Sequence, residues 1–408
     1  MLSPTALEPR DAIVGVRPTR AVEPASVDEA AEAMQALARD RLAVAFVGGG
    51  TELELGAAPS RLDVVLRTRR LARIREHAPS DQIVAVEAGM TIAALQRALA
   101  PHGQRLALDP PDPERATVGG VVAASAWGPR RTRFGPVRDL VIGVTLVRAD
   151  GVIAHGGGKV VKNVAGFDLP RLLCGSLGTL GLVAEVVFRL HPLPETSATA
   201  VFEGLAGVDV RETVPALREL AVEPAALVAF SDGPRFRLAV RFEGFAPGVH
   251  DQLQRVLARA GGGARLEGSA EAALWAAHDE ARAAGSVRAK ATFAPAALVR
   301  ALDALAPLRD ALGGAGMVVH PALGIALLGG DLGDVGDVGA PVTALAAARA
   351  ALRELGNGAV VVTAAPQALR ARADVWGPTP SGIAIMRRLK KELDPDGRLA
   401  PGRFVGGI

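Results

Sequence analysis

The sequence predicts an α+β protein with more than one domain, and three observations support this. The chain has 408 residues, whereas a single hydrophobic core usually organises about 100–200 residues. Helix and strand signals alternate through the first third of the chain. Beyond about residue 195, short strand signals are separated by alanine-rich helical stretches, which is typical of an antiparallel sheet with helices.

The composition excludes several classes of protein. Apolar residues make up 49% and charged residues 22% of the chain, as in ordinary globular proteins. The 46 basic and 43 acidic residues nearly balance, and aromatic residues are only 3%, so we predict no nucleic-acid partner. The single cysteine, Cys174, excludes a disulfide framework and any iron–sulfur cluster held by this chain's own thiolates. Because neither a signal peptide nor a transmembrane segment is indicated, we predict a cytoplasmic protein.

Local signals define the elements of the first part in order. Ser26 and Glu29 form a capping-box pattern before an apolar-periodic helix. Thr91 precedes a second helix, and Asp150-Gly151 is a strong hairpin signal between two strands. The predicted strands of this part cover residues 43–47, 83–86, 140–147, 152–155 and 182–190.

The character of the sequence changes at His191-Pro192-Leu193-Pro194, which we interpret as a linker. Later strands are predicted at residues 199–202, 227–230, 237–242 and 359–362. Near the end, Ser381 is the expected cap of a helix that carries Met386, Leu389 and Leu393 on one face.

Three glycine clusters follow predicted strands or precede predicted helices, at residues 48–51, 117–120 and 175–181. Glycine permits positive φ and lacks a Cβ, so consecutive backbone N–H groups can converge on an anion such as a diphosphate. The spacing fits neither the G-x-G-x-x-G fingerprint nor a P-loop. Taken alone, each cluster is better explained as a turn than as a ligand-binding loop.

The order of these motifs resembles the vanillyl-alcohol oxidase/p-cresol methylhydroxylase family. The resemblance covers the first half of the chain and the last thirty or so residues. The matching segments are residues 47–51, 116–120, Phe134-Gly135 with Asp139, 162–169, 175–181, 393–395 and 401–403.

The resemblance implies a two-part FAD-binding domain of the p-cresol methylhydroxylase type over residues 1–195, with an inserted antiparallel-sheet α+β cap domain at 196–365. Residues 366–408 would return to the FAD-binding domain. Non-covalent FAD is implied, since the first glycine loop has no histidine and the nearest one is His77. The residues implied to hold FAD are Val47, Gly48, Gly49, Gly50, Thr51, Thr117, Val118, Gly119, Gly120, Phe134, Gly135, Gly175, Gly178, Gly181, Val183 and Arg403.

Residues 128–131 and 162–171 are more narrowly similar to the E subunits of bacterial glycolate oxidase complexes. This similarity implies an FAD-dependent oxidoreductase subunit that oxidises a 2-hydroxy acid, glycolate to glyoxylate, by hydride transfer to the flavin. Electrons would pass to a partner iron–sulfur subunit, beside a second FAD subunit, and any membrane association would be through these partners. Two alternatives stay open: a non-catalytic structural or electron-relay FAD subunit, and a stand-alone oxidase of another hydroxy acid or alcohol.

The residues give only weak candidates for catalysis: Lys162, Arg133 and His320. Lys162 could stabilise a reduced flavin, and Arg133 could attract a carboxylate or lie in a solvated basic loop with its neighbours. Related catalytic subunits carry a polar, histidine-rich signature where this chain has His320 followed by apolar residues. A core histidine is the better interpretation, so we expect an incomplete substrate site and no metal site. Asp168 is expected to cap a helix.

Overall fold

The structure is a computed structural model that describes residues 4–159, 166–231, 233–314, 316–332 and 338–408. The chain forms two compact units. The first consists of Met1–Gly128, Phe134–Leu193 and Pro378–Ile408. The second consists of Pro129–Arg133 and Pro194–Gly377. Each unit is therefore built from segments that are distant in the sequence.

The first unit combines strands in three small sheets with short helices. Its strands are β1 (Arg20–Val22), β2 (Val44–Val47), β3 (Val64–Arg67), β4 (Ile74–Ala78), β5 (Ile83–Glu87), β6 (Gln104–Arg105), β7 (Val141–Val147), β8 (Ile153–Gly157), β9 (Leu182–Arg189) and β10 (His191–Pro192). A parallel sheet has the order β1-β3-β2, and an antiparallel sheet has the order β4-β5-β9-β7-β8. The remaining pair joins β10 to β6.

Two of the helices between these strands begin at caps that the sequence predicts. The helices are α1 (Val27–Arg39), α2 (Ile92–Leu99), α3 (Val118–Ala124), α5 (Val137–Leu140) and α6 (Leu169–Leu173). Helix α4 (Arg131–Phe134) lies in the second unit except for its last residue. The hydroxyl of Ser26 accepts a hydrogen bond from the Glu29 amide at 3.1 Å, and Thr91 accepts one from the Ala94 amide. The predicted caps of α1 and α2 are therefore confirmed.

One segment differs from its prediction. His191-Pro192, interpreted as part of a linker, pairs with Gln104–Arg105 as the short strand β10. Proline is tolerated there because the strand is short and lies at an edge, where one missing N–H breaks no ladder. The division between the units falls after Leu193.

The second unit is organised by an eight-stranded sheet whose paired strands are all antiparallel, in the order β14-β11-β13-β12-β16-β17-β15-β18. Its strands are β11 (Thr196–Leu205), β12 (Ala226–Ser231), β13 (Phe236–Gly244), β14 (Ala264–Leu266), β15 (Val287–Thr292), β16 (Gly316–His320), β17 (Ile325–Gly330) and β18 (Ala359–Ala364). Its helices are α7 (Gly207–Glu219), α8 (Ala246–Ala260), α9 (Gly268–Ala283), α10 (Leu298–Ala311), α11 (Gly339–Glu354) and α12 (Gln367–Arg370). The predicted antiparallel α+β region is confirmed.

The C-terminal segment belongs to the first unit. It begins with helix α13 (Ile383–Leu393), whose cap residue is Gly382. The prediction that Ser381 caps this helix is therefore wrong, because the helix starts one residue later than the pattern indicates. Leu399 then forms a parallel bridge with Val44 of β2. No helix in the described part of the chain is long and apolar enough to span a membrane.

Candidate functional site

A cavity lies in the first unit where the three glycine clusters meet. Eleven of the sixteen residues predicted to hold a cofactor line it: Gly48, Gly49, Gly50, Thr51, Thr117, Gly119, Gly120, Gly178, Gly181, Val183 and Arg403. These residues come from the loop after β2, the start of α3, the loop before β9 and the C-terminal segment. Segments that are more than 350 residues apart in the sequence therefore line the same cavity.

Glycine is required in the first loop because this loop packs directly on the loop before α3. A Cβ at Gly49 would lie 1.7 Å from the carbonyl oxygen of Arg115. A Cβ at Gly48 would lie 2.0 Å from the hydroxyl oxygen of Thr117. Both distances are far below van der Waals contact, so a side chain at either position would force the two loops apart.

The second cluster is packed in the same way. A Cβ at Gly119 would lie 2.7 Å from the Cβ of Ala88. For Gly49 and Gly119 the missing side chain therefore leaves room for other parts of the protein. Because these glycines lack a Cβ, the loops that line the cavity can pack closely against each other.

The backbone amides of the two clusters differ in what they can bind. At the start of α3, the Val118 amide donates to the Met90 carbonyl at 2.8 Å, and the Gly119 amide donates to the Ala88 carbonyl at 2.7 Å. The next amide, of Gly120, donates to the hydroxyl of Thr117 at 3.4 Å. These three donors are already used by the protein.

The first cluster keeps its donors open. Among the described residues, the amides of Gly49, Gly50 and Thr51 donate no hydrogen bond to another protein group. Gly50 has a φ of +75°, a left-handed conformation that commonly makes neighbouring amides converge in anion-binding turns. The arrangement can therefore accept an anionic oxygen at this loop.

Arg403 adds positive charge to the cavity wall. Its side chain is 4% exposed, and its Nη2 donates to the Leu53 carbonyl at 2.8 Å. The Arg403 carbonyl in turn accepts from the Ala57 amide at 3.0 Å. A guanidinium held this way beside open amides suits a phosphate or diphosphate group.

Five predicted cofactor residues do not line the cavity: Val47, Val118, Phe134, Gly135 and Gly175. The first two are buried in hydrophobic clusters behind the cavity wall. The ring of Phe134 packs at 4.9 Å from that of His191, edge to face. These residues shape the surroundings of the cavity instead of facing it.

Sequence reasoning missed several lining residues, among them Ile13, Thr68 and Leu177. Thr68 follows β3, which pairs with β2 in parallel. Because parallel strands end at the same sheet edge, the position of Thr68 beside the first glycine loop could have been inferred from the two strands. Nothing in the sequence around Ile13 indicated a place at the cavity.

The weak catalytic candidates are not brought together. Lys162 lies outside the described residues. Arg133 belongs to the second unit, where its Nη1 donates to the Glu243 carbonyl at 3.0 Å and its Nη2 pairs with Glu223 at 3.3 Å. Neighbouring Arg130 forms a two-pronged ion pair with the Glu243 carboxylate, which is fully buried.

His320 is the last residue of β16 and is fully buried. Its ring lies 6.1 Å from that of His278. Burial, followed by the nearby His278 and two arginines, holds the pKa of His320 well below its usual range. The imidazole is therefore neutral at physiological pH and is packed in the interior of the second unit.

Two other residues considered in the sequence analysis, Asp168 and Cys174, have structural roles. Asp168 caps α6, since its Oδ1 accepts from the Arg171 amide at 3.0 Å, and that prediction is confirmed. Cys174 packs against the hydrophobic core of the first unit. Burial raises the pKa of its thiol to about 12, so the group is protonated and unreactive near neutrality.

Comparisons with known proteins agree with this geometry. Residues 18–157 match the model of the FAD binding domain family. The chain contains an FAD-binding domain. FAD is therefore the expected cofactor, which confirms that prediction, and the open amides and Arg403 fit its diphosphate.

Several curated proteins are similar over part of their length. Glycolate oxidase subunit GlcD of Bacillus subtilis is 32% identical over 220 residues, which cover 52% of this chain and 47% of that protein. D-lactate dehydrogenase of Archaeoglobus fulgidus is 36% identical over 42% of this chain and 38% of its own. Glycolate oxidase subunit GlcE of Escherichia coli is 32% identical over 45% of this chain and 51% of its own. The matches thus span about half the length of these relatives or less.

Solved structures support the fold. The chain is similar to p-cresol methylhydroxylase, with a TM-score of 0.73 at 16% identity over 95% of this chain and 88% of that one. An alkyldihydroxyacetonephosphate synthase has a TM-score of 0.72 at 17% identity, over 95% of this chain and 77% of that one. At such identities the likeness concerns the fold alone, and it confirms the predicted fold class.

Proposed function

We propose that this chain is the FAD-binding subunit of a 2-hydroxy-acid dehydrogenase complex of the glycolate oxidase type, which oxidises glycolate to glyoxylate. The observation that carries the proposal is the cavity in the FAD-binding domain. Three open amides, of Gly49, Gly50 and Thr51, lie there with the buried Arg403. When bound, FAD supplies a two-electron hydride acceptor for oxidising a CH–OH group.

The assignment of roles follows from that geometry. The loop after β2 holds the diphosphate through its amides, and Arg403 balances the negative charge. Gly178, Gly181 and Val183, on the opposite loop and strand, line the space for the rest of the nucleotide. Residues 1–195 and 366–408 form the proposed FAD-binding domain, and residues 196–365 the proposed cap domain.

The substrate class is supported by the relatives. Their names refer to glycolate and D-lactate, and both are small 2-hydroxy acids. The need for partners is supported by the sequence: one cysteine cannot hold an iron–sulfur cluster. Electrons therefore leave through a separate iron–sulfur subunit, beside a second FAD subunit, in a cytoplasmic complex.

In a second candidate function, the chain binds FAD but does not oxidise a substrate. It would then be an electron-relay or structural FAD subunit. It is favoured by the burial of His320 and by the ion pairing of Arg133. His320 is therefore not placed to take a proton from a substrate hydroxyl, and Arg133 already pairs with a carboxylate of the protein. In both candidates this chain works as one member of a complex, and the third possibility, a stand-alone oxidase, is the least supported.

The first test is whether the purified chain binds FAD without a covalent bond. The protein should be yellow, or become yellow on addition of FAD, and acid precipitation should release the flavin into the supernatant. A colourless protein that does not take up FAD would overturn the proposal. Flavin that stays in the pellet would show that the linkage is covalent.

The second test addresses the complex. The chain should be co-expressed with the candidate iron–sulfur and second flavoprotein subunits from the same genome and isolated through a tag on this chain. We expect a stable assembly with two flavins that reduces an acceptor dye with glycolate. Full activity of this chain alone would instead support the stand-alone oxidase.

A further inference from the structure

A buried ion pair holds the segment that precedes β1 against the first unit. The Asp11 and Arg67 side chains are 1% and 4% exposed. The Nε of Arg67 donates to one Asp11 oxygen at 2.9 Å, and its Nη2 donates to the other at 2.5 Å. Asp11 also accepts from the Glu8 amide at 2.7 Å.

The same guanidinium fixes the chain before Asp11. Its Nη2 donates to the Ala6 carbonyl at 2.6 Å, and its Nη1 contacts the Thr5 hydroxyl at 3.3 Å. The Arg67 side chain thus organises the whole segment from Thr5 to Asp11. Arg67 also pairs with Glu8 at 3.1 Å, but Asp11 is its most buried counter-charge. Removal of either charge of the Asp11–Arg67 pair would therefore be strongly unfavourable.

Each residue of this ion pair is followed closely in the chain by a residue that lines the cavity. Thr68, the residue after Arg67, lines it. Ile13, two residues after Asp11, also lines it and is 1% exposed. Two hydrogen bonds between the backbones of Ile13 and Val16, at 2.9 and 3.0 Å, close a tight turn there.

Ile13 also packs against the sheet that carries the glycine loop. It belongs to a hydrophobic cluster with Ala45 and Val47 of β2 and Val65 of β3. Of these, Ala45 lines the cavity too. The segment from Glu8 to Val16, which we call the N-terminal wall, is therefore one side of the cavity. It is held by the buried Asp11–Arg67 pair and by partly exposed ion pairs of Glu8 with Arg67 and Arg69.

We propose that Asp11 and Arg67 are positioning residues for the cofactor, because they hold the N-terminal wall in place so that Ile13 completes the FAD cavity. This inference rests on the proposed cofactor site. Its consequence is a linkage: FAD binds tightly only while the wall is closed, and bound FAD keeps the wall closed. If the closed fraction falls tenfold, the apparent Kd for FAD rises by the same factor.

The test compares FAD affinity and local opening in variants of the full chain. Asp11→Asn removes the charge with little change of shape. We expect its Kd for FAD to rise about tenfold or more, measured by quenching of flavin fluorescence well below the Tm of the variant. Hydrogen exchange of residues 5–16 should become faster in the variant without FAD, and FAD should slow it in the wild type.

Three further variants separate positioning from general stability. Glu114→Gln breaks the exposed ion pair with Arg97, whose side chains are 64% and 66% exposed, and should leave both readouts unchanged. Leu274→Ala creates a cavity in the core of the second unit, so it should lower the Tm without changing the Kd. Ile13→Ala keeps the ion pair and should weaken FAD binding while residues 5–11 stay protected.

The outcomes distinguish the two proposals. If the wild-type chain binds no FAD, the proposed function fails and this inference fails with it. If the wild type binds FAD, and both Asp11→Asn and Ile13→Ala bind it equally well, the cofactor site stands and the role of the N-terminal wall is wrong. Should Asp11→Asn fail to fold, Ile13→Ala and the exchange of wild-type residues 5–16 with and without FAD decide the matter.

Discussion

The two units treat their polar groups differently. In the first unit, the amides of Gly49, Gly50 and Thr51 lie at a cavity and have no acceptor in the part of the chain that the structure describes. In the second unit, the fully buried carboxylate of Glu243 pairs with Arg130 at 2.8 Å and with Arg241 at 3.2 Å. An open donor can bind a ligand, whereas a donor or acceptor satisfied within the protein stabilises or positions the fold.

The two units also differ in where they place the side chains that are candidates for binding or catalysis. Arg403 in the first unit lies at the cavity wall, although it is 4% exposed. His320 in the second unit is packed in the interior and neutral. Residue type alone therefore does not identify a functional group, and the contacts of each group decide.

The largest effect is expected from Gly49→Ala. The new Cβ would collide with the Arg115 carbonyl at 1.7 Å, so the two glycine loops would separate and the open amides would move. FAD affinity should fall about 100-fold or more, measured by fluorescence titration. Gly382→Ala is the control, because its Cβ would meet nothing within 4 Å. Unchanged affinity of Gly49→Ala would show that this loop does not hold the cofactor.

The isolated chain should oxidise glycolate at least about 100-fold more slowly than the assembled complex, since its histidine candidate for a general base is not placed to meet a substrate. His320, the histidine candidate, is buried and neutral. Anaerobic mixing of the FAD-loaded chain with glycolate should leave the visible flavin absorbance unchanged over many seconds. Rapid bleaching would show that the chain holds a complete active site. The second unit could then no longer be described as having only internally paired polar groups.

An intermediate effect is expected from Glu243→Gln. The change removes the buried charge that Arg130 and Arg241 share and should lower the free energy of unfolding by about 3 kcal/mol. Thermal or urea unfolding measures this. The control is Glu223→Gln, whose side chain is 76% exposed and which should change stability by less than about 1 kcal/mol. Equal effects from both variants would show that the Glu243 network is not structural.

The smallest effect is expected from Gly50→Ala. The Cβ would only touch Leu53 at 3.5 Å, so the cost is that of a non-glycine residue at a φ of +75°, about 1 kcal/mol. FAD affinity should fall about fivefold, well short of the effect of Gly49→Ala. If FAD affinity fell as much as in Gly49→Ala, the backbone conformation at Gly50, and not the packing of the loops, would determine FAD binding.

Much of the architecture could be predicted from local signals. The caps at Ser26 and Thr91 and the hairpin at Asp150-Gly151 are all found in the structure. These features depend on neighbours a few residues away, which a sequence displays directly. The prediction at Ser381 was one residue early, because helix ends depend on which backbone groups find partners.

By itself the sequence determined the order of helices and strands, the three glycine clusters and the FAD-binding family that they indicate. The tertiary structure alone decided which of those glycines present open donors. The amides of Val118 and Gly119 are used by Met90 and Ala88, about thirty residues earlier in the chain, and no periodicity signals such a pairing. The N-terminal wall was equally hidden, because the partner of Asp11 is Arg67. Contacts of this kind depend on how distant segments pack, and packing is set by the whole fold.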